Sequence, residues 1–364
     1  MRVVVGLSGG VDSAVSAALL QRAGADVVGA FIKTWHPDWL EDKCSWRQER
    51  RDAMRVAAHL QIPFVTVDLE QEYKREVADY MIAEYKAGRT PNPDVMCNKE
   101  IKFGAFLRKA LAMGADTIAT GHYAQTSGSL QEPANFSSSP SLRGPRRRQN
   151  YSSSLRFMRA VDPSKDQSYF LWTLGQEQLS KIIFPVGHLQ KSEVRGLAKQ
   201  FKLPVAEKRD SQGICFLGQV DMKDFLSHYI VTKPGQVLDE RGRKIGKHDG
   251  AIFYTIGQVW EKPYIVISKN VKANTITVSD KLSNLPKVSG AQTRVVKLRD
   301  INWISGQAPG KSEKLLAQIR YHGEKFACKV TGSSVVFTKP ILAAPGQSLV
   351  IYDGDACLGG GVVE

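Results

Sequence analysis

Short apolar runs alternate with longer stretches of helical spacing through the first two hundred residues. Arg2-Val-Val-Val-Gly6 is an unbroken β-branched run closed by glycine, the pattern of a strand buried on both faces. The spacing then predicts a helix over 13–23, a strand over 26–32, a helix over 48–60 and a strand over 63–68. A helix near 103–112 and a strand over 116–120 follow. Strands alternating with helices of this length predict an α/β domain around a parallel sheet. Past Val205 the pattern shortens to strand fragments separated by Gly, Pro and Asp. Val237-Leu238 and Ile252-Phe253-Tyr254 read as strand pieces of a small β-rich module. Asp353-Gly354 lies between Leu349-Val-Ile-Tyr352 and Ala356-Cys-Leu358, a hairpin signal, and a small β-barrel is expected from about 290 to the end. The expected division is 1–205, 206–288 and 289–364.

Composition changes this picture in three places. Residues 127–154 are rich in Ser, Pro, Asn and Arg and include Arg146-Arg-Arg148, so a basic, solvated loop is expected there, with RNA binding the alternative. The formal charge of +14 over 364 residues suits a polyanionic partner, although charge alone leaves an ordinary basic protein equally open. No apolar run is long enough to span a membrane, and the strand pattern starts directly after Met1 without a leader-like segment, so a cytoplasmic protein is expected. The five cysteines (Cys44, Cys97, Cys215, Cys328, Cys357) are odd in number and include no CxxC pair. They fit free thiols better than disulfides or a paired-cysteine zinc site.

The sharpest chemical signal is Ser8-Gly9-Gly10-Val11-Asp12-Ser13, placed after a strand and at the opening of a helix. Glycines let backbone N–H groups approach an anion, and the helix N-terminus adds a positive dipole. Ser8 and Ser13 supply hydroxyl donors, and Asp12 is placed to hold Mg2+ on phosphates. The Gly-Lys-Ser/Thr ending of a Walker A loop is missing. The motif resembles the PP-loop of ATP pyrophosphatases, which implies cleavage of ATP between the α and β phosphates and adenylation of a substrate oxygen.

Two cysteines stand in unusual settings. Thr90-Pro-Asn-Pro-Asp94 precedes Cys97, which is expected just before a helix start. A helix N-terminus with Lys99 and Lys102 nearby favours a thiolate at Cys97, and Asp94 is placed to move a proton. Asp210-Ser-Gln-Gly-Ile-Cys215-Phe-Leu-Gly218 reads as a loop presenting a second thiol. By spacing alone each cysteine reads more readily as a small buried residue.

Taken together, these segments closely resemble the bacterial tRNA-specific 2-thiouridylase family, MnmA/TrmU. The resemblance runs in order from Gly6-Leu-Ser-Gly-Gly-Val-Asp-Ser13 through Ala83-Glu-Tyr-Lys-Ala-Gly-Arg-Thr-Pro-Asn-Pro-Asp94 and Cys97-Asn-Lys-Glu-Ile-Lys-Phe103. It continues through Ala119-Thr-Gly-His-Tyr123, Lys165-Asp-Gln-Ser-Tyr-Phe-Leu171, Phe184-Pro-Val-Gly187, the Cys215 loop and Tyr254-Thr-Ile-Gly-Gln258. It ends at Asp353-Gly-Asp-Ala-Cys-Leu-Gly-Gly-Gly361. The resemblance implies a PP-loop (adenine nucleotide alpha hydrolase-like) domain, a central β-rich module and a C-terminal β-barrel. It implies ATP contacts at Gly6, Leu7, Ser8, Gly9, Gly10, Val11, Asp12, Ser13, Ile32 and Gly121. Asn92, Pro93 and Asp94 would meet the target base. His122, Lys165, Asp166 and Gln167, with Arg320, Tyr321 and Gln347 of the barrel, would touch tRNA. Cys97 matches the family's nucleophile and Cys215 its persulfide carrier.

The expected reaction is ATP- and Mg2+-dependent sulfuration of the wobble uridine in tRNA for Glu, Gln and Lys. The sulfur would come from a cysteine desulfurase or a relay protein. Two departures from the family pattern stand out: the length of 127–154, and Val259-Trp-Glu-Lys-Pro263 where a Gly-rich Arg-Lys stretch is usual. Cys44 with Cys97 and Cys215 leaves a minority alternative, an iron–sulfur cluster. Other PP-loop enzymes and a non-catalytic RNA-binding protein are the rival readings.

Overall fold

The structure is a computed structural model that describes residues 1–43, 46–127, 154–210, 215, 220–280, 292–310 and 314–364. The basic stretch of the 127–154 segment and Cys44 lie outside the described residues. The N-terminal sheet is built from β1 (Arg2–Gly6), β2 (Asp26–Lys33), β3 (Phe64–Asp68), β4 (Thr117–Ala119) and, later in the chain, Ile182–Ile183. Its order is β3-β2-β1-β4 and then Ile182–Ile183, all parallel. The β1 valines divide by the two-residue period of a strand. Val3 and Val5 enter one core with α1 (Val11–Arg22), α2 (Trp46–Leu60) and the helix Lys191–Gln200. Val4 enters the other core with the helical stretch 70–112. Chain order reverses between β1 and β4, so the crevice beyond their C-terminal ends is where an α/β sheet binds its ligand.

The central module is a five-stranded sheet holding Gly235–Leu238 between Lys244–His248 and Thr275–Ser279, with Tyr264–Asn270 and Val259–Glu261 beyond. Here one expectation is corrected. Ile252-Phe253-Tyr254 is not a strand: Ala251–Phe253 forms a single 3₁₀ turn, closed by Phe253 N–H to the Gly250 carbonyl. Gly250, at φ +147°, starts the turn, and burial of Ala251 and Ile252 accounts for the apolar pattern.

The last domain is a closed antiparallel barrel of six strands: Gln292–Trp303, Leu315–Gln318, Lys325–Thr331, Ser334–Leu342, Ser348–Asp353 and Ala356–Val363. The first and last strands pair to close it. The Asp353-Gly354 hairpin forms as expected. The N-terminal domain lends this sheet a hairpin, Ala124–Ser127 with Arg156–Arg159, joined at Ala356 to Met158. The Tyr169 hydroxyl shares its proton between the carbonyls of Ile319 and Ser348, 2.9 Å from each, and Glu84 pairs with Arg299 at 2.7 Å. All three parts meet at Thr90. Its N–H reaches the Pro345 carbonyl at 2.8 Å, and its hydroxyl lies 3.1 Å from that of Thr255.

Candidate active site

The expected anion loop is shaped at the end of β1. Gly10 opens α1 with no side-chain cap, so the first N–H groups of the helix are not taken up by a capping side chain. Gly9 has φ +74°, and a Cβ there would lie 2.4 Å from the Glu49 carbonyl oxygen. The Ser8 and Ser13 hydroxyls are 3.2 Å apart, and Ser13 Oγ also accepts from Ser8 N–H at 3.2 Å. Gly121, at the end of β4, backs the loop so closely that a Cβ would sit 2.6 Å from Ser13 N. Ile32 is buried in the adjoining strand.

Cations ring this loop. Lys191 Nζ contacts both Asp12 oxygens, at 2.7 and 2.9 Å, and Tyr123 donates to Asp12 Oδ1 at 2.9 Å. Lys208 binds the Gly9 carbonyl at 3.0 Å and Asp52 at 2.7 Å. Asp210 accepts from Lys165 (2.8 Å), Lys191 (2.9 Å) and Arg195 (2.6 Å). Burial alone would raise the Asp210 carboxyl, but Lys165 and Lys191 outweigh it and hold it well below the ordinary range. Lys165 is therefore tied to the cluster beside this loop rather than free at the surface.

The second centre forms where Cys97 and Cys215, 118 residues apart, bring their sulfurs to 3.5 Å. Both are free thiols. Asp94 Oδ1 accepts from the Cys215 N–H at 3.0 Å, and buried Tyr73 donates to the Cys215 carbonyl at 2.9 Å. Burial raises the Asp94 carboxyl, and the Cys215 N–H only partly offsets it. Asn92 caps the helix Pro93–Met96, accepting from Val95 N–H at 3.2 Å, with Pro93 at its first position.

Two expectations about Cys97 are corrected here. The helix starts at Pro93 rather than after Cys97, because Asn92 and Pro93 together make a strong start signal. The free N–H groups of that terminus thus lie before Cys97. Cys97 is fully buried, which pushes its thiol well above the ordinary range, and its hydrogen bond to Cys215 adds to this. Cys215 accepts that bond and lies near Lys102, so its thiol is lowered instead. Lys99 takes no part; it pairs with Glu100 at 3.0 Å.

The other expected contact residues divide by exposure. His122 is buried, with Nδ1 2.8 Å from Thr120 Oγ1 and Nε2 3.3 Å from Lys102 Nζ. Burial, then the nearby Lys102 charge, keeps the ring neutral. Asp166 is buried against Arg159 (2.9 Å) and Ser168, and Gln167 accepts from Tyr123 N–H at 2.9 Å. Arg320 donates to the Ile256 carbonyl at 2.6 Å, and Tyr321 packs on Phe170 with ring centres 4.4 Å apart. Gln347 is half-buried beside Gly346, which abuts Thr90.

Known proteins resemble this chain along its whole length. Residues 1–219 match the family described as "tRNA methyl transferase HUP domain", 223–280 its PRC-barrel domain and 293–363 an aminomethyltransferase beta-barrel domain. The tRNA-specific 2-thiouridylase MnmA 2 of Geobacillus kaustophilus is 42% identical over 376 residues, covering 100% of this chain and 94% of that protein. The MnmA of Francisella philomiragia is 41% identical over 383 residues, covering 100% and 99%. The chain belongs to the tRNA-specific 2-thiouridylase family. Lys191, Arg195, Lys208 and Tyr73 are the residues of these two clusters that the sequence reading missed. Lys191 and Arg195 begin an ordinary amphipathic helix, and only the fold turns them toward Asp12 and Asp210. Lys208 adjoins the Asp210–Cys215 motif, which was the one available signal.

Proposed function

We propose that this chain converts the wobble uridine of tRNA to 2-thiouridine at the expense of ATP. Cys215 carries the sulfur as a persulfide and Cys97 releases it. The observation that carries the reading is the 3.5 Å approach of these two sulfurs beside Asp94, in a chain whose anion loop opens the same domain.

ATP would lie on Gly6–Ser13, between Ile32 and Gly121, with its phosphates at the N-terminus of α1 and within reach of Lys191 and Lys208. Asp12 is a carboxylate beside that terminus, which fits Mg2+, an ion usually held by one or two carboxylates plus phosphates. Bound there, Mg2+ would neutralise charge on the phosphates. Asn92, Pro93 and Asp94 would position the target uracil. The uracil C2 oxygen attacks the α-phosphate and pyrophosphate leaves, so a poor leaving group becomes AMP. Cys97 gives its proton to Asp94 and attacks Cys215 Sγ. The outer sulfur departs as hydrosulfide and displaces AMP at C2, leaving a Cys97–Cys215 disulfide for reduction. The base must leave its stack to reach this site.

Arg320, Tyr321, Lys165, Gln167 and Gln347 are the half-buried members of the tRNA-facing set. His122 and Asp166 are buried and hold that surface from beneath. Acceptors are tRNA for Glu, Gln and Lys; the sulfur donor is a cysteine desulfurase or a relay protein. Among the described residues no helix is long and apolar enough to cross a membrane. The test is nucleoside mass spectrometry on unmodified tRNA for Glu incubated with the protein, ATP, Mg2+ and a sulfide source. New wobble 2-thiouridine that requires ATP is expected. Pyrophosphate release without thiouridine would point to another acceptor. Neither product from folded protein would favour a non-catalytic RNA-binding role.

A further inference from the structure

The winding of the chain after Cys97 decides what shares its surroundings. In an α-helix, the fifth residue on lies about 140° round the axis, so Lys102 would face away from Cys97. Residues Cys97–Phe106 instead form a π-helix of 10 residues, whose i to i+5 bonding brings the fifth residue back over the first. Gly104 permits it: a Cβ there would stand 2.8 Å from the Lys99 carbonyl oxygen, five residues back. Lys102 thereby comes to the sulfurs. It hydrogen-bonds the Cys215 thiol and lies near Cys97 and Asp94. From the far side it donates to His122 Nε2 at 3.3 Å, and the Nδ1 contact to Thr120 Oγ1 fixes that ring.

We propose that Lys102 is a catalytic residue: together with the hydrogen bond that buried Cys97 donates, it is the cation that holds Cys215 as the thiolate of the resting enzyme, and the π-helical winding is what aims it. The ionisable groups facing it are Asp94, Cys97, Cys215 and His122, with Tyr73 behind the cysteines. Burial works against the ammonium, but the two cysteines and Asp94 outweigh it, and His122 stays neutral. The step served is loading. Cys215 thiolate attacks the outer sulfur of a persulfide donor. The Cys215–sulfur bond forms as the donor's S–S bond breaks, and the donor leaves as a thiolate, so no outside oxidant or reductant is needed. Cys97 remains a protonated thiol and does not compete for the donor. This assignment rests on the two-cysteine reading given above and adds the group that orders its steps.

The test is alkylation of the full-length protein by iodoacetamide from pH 5 to 10, without ATP or tRNA, with each cysteine read by peptide mass spectrometry. Cys215 is expected to react at least tenfold faster than Cys97 at pH 7, with a midpoint below the ordinary thiol value of about 8.5. In Lys102→Met, the Cys215 midpoint should rise by at least one pH unit and the rate at pH 7 should fall about tenfold. Lys102→Arg, which keeps the charge, should retain most of the effect. Gly104→Ala should shift the profile in the same direction with Lys102 present. A wild-type midpoint in Lys102→Met, or faster labelling of Cys97 in the parent, overturns the assignment. An unshifted Gly104→Ala profile overturns the role of the π-helix. A protein that shows this profile yet makes no thiouridine keeps Lys102 and sinks the thiolation reading instead.

Discussion

Replacing Gly121 by alanine tests whether the β4 loop sets the nucleotide loop. The added Cβ would fall 2.6 Å from Ser13 N and 2.8 Å from the Asp12 carbonyl carbon. Both are backbone atoms at the start of α1, so no side-chain rotation relieves the contact. Ordinary van der Waals contact begins near 3.4 Å, so Ser13 must retreat by about 0.8 Å. Overpacking of this kind costs about 1–3 kcal/mol of stability. The larger effect is expected on rate, because a shift of about 1 Å in bound geometry can lower turnover about 100-fold. The assay is tRNA-dependent pyrophosphate release against ATP concentration, with a thermal melt of each protein. Gly196→Ala is the control. Gly196 lies in the helix Lys191–Gln200 with nothing within 4 Å of its added Cβ, so it should be neutral or stabilising by about 0.5–1 kcal/mol. A Gly121→Ala protein with parental kcat and KM for ATP would refute the account of the loop.

Other consequences follow from charges the fold brings together. Lys191→Met should weaken ATP binding at least tenfold by isothermal titration, since Lys191 is the cation nearest Asp12 at the mouth of α1. Glu84→Gln should destabilise the contact between the N-terminal domain and the barrel by about 2–3 kcal/mol in urea unfolding at pH 7, allowing for the partly exposed arginines. The Glu84 carboxyl is lowered by its hydrogen bond to Arg89, against burial, and by Arg299. Its stabilisation is therefore present above the unfolded value of about 4.3 and lost as pH falls through the folded one, so the gap between variant and parent should close in that acid range. Asp210 is held low by Lys165 and Lys191, so Asp210→Asn should likewise cost stability at pH 7 and converge on the parent in acid.

The parallel sheet was legible because its strands are continuous apolar runs. The anion loop was legible because its glycines and serines are consecutive. The Asp353-Gly354 hairpin carried its own turn signal. What failed was local signal that tertiary packing overrides. Ile252 and Phe253 have strand-like composition, but Gly250 turns the chain and Ala251 and Ile252 are buried in a 3₁₀ turn. The state of the cysteines was also beyond reach. Lys99 and Lys102 look equivalent in sequence, yet only the π-helix brings one to the sulfurs, and complete burial makes Cys97 the poorer thiolate. The clamp on Asp210 joins Lys165, Lys191 and Arg195 across up to 45 residues, a separation no local pattern encodes.

The most direct test of the two-cysteine mechanism is a single turnover with labelled sulfur loaded on Cys215. After removal of free donor, ATP, Mg2+ and unmodified tRNA are added without reductant, and label and thiols are counted together. The account predicts that label moves into wobble 2-thiouridine while one Cys97–Cys215 disulfide forms per thiouridine, and that Cys97→Ser retains the label on Cys215. Thiouridine formed with both thiols still reduced, or formed by Cys215→Ser at the parental rate, would contradict it.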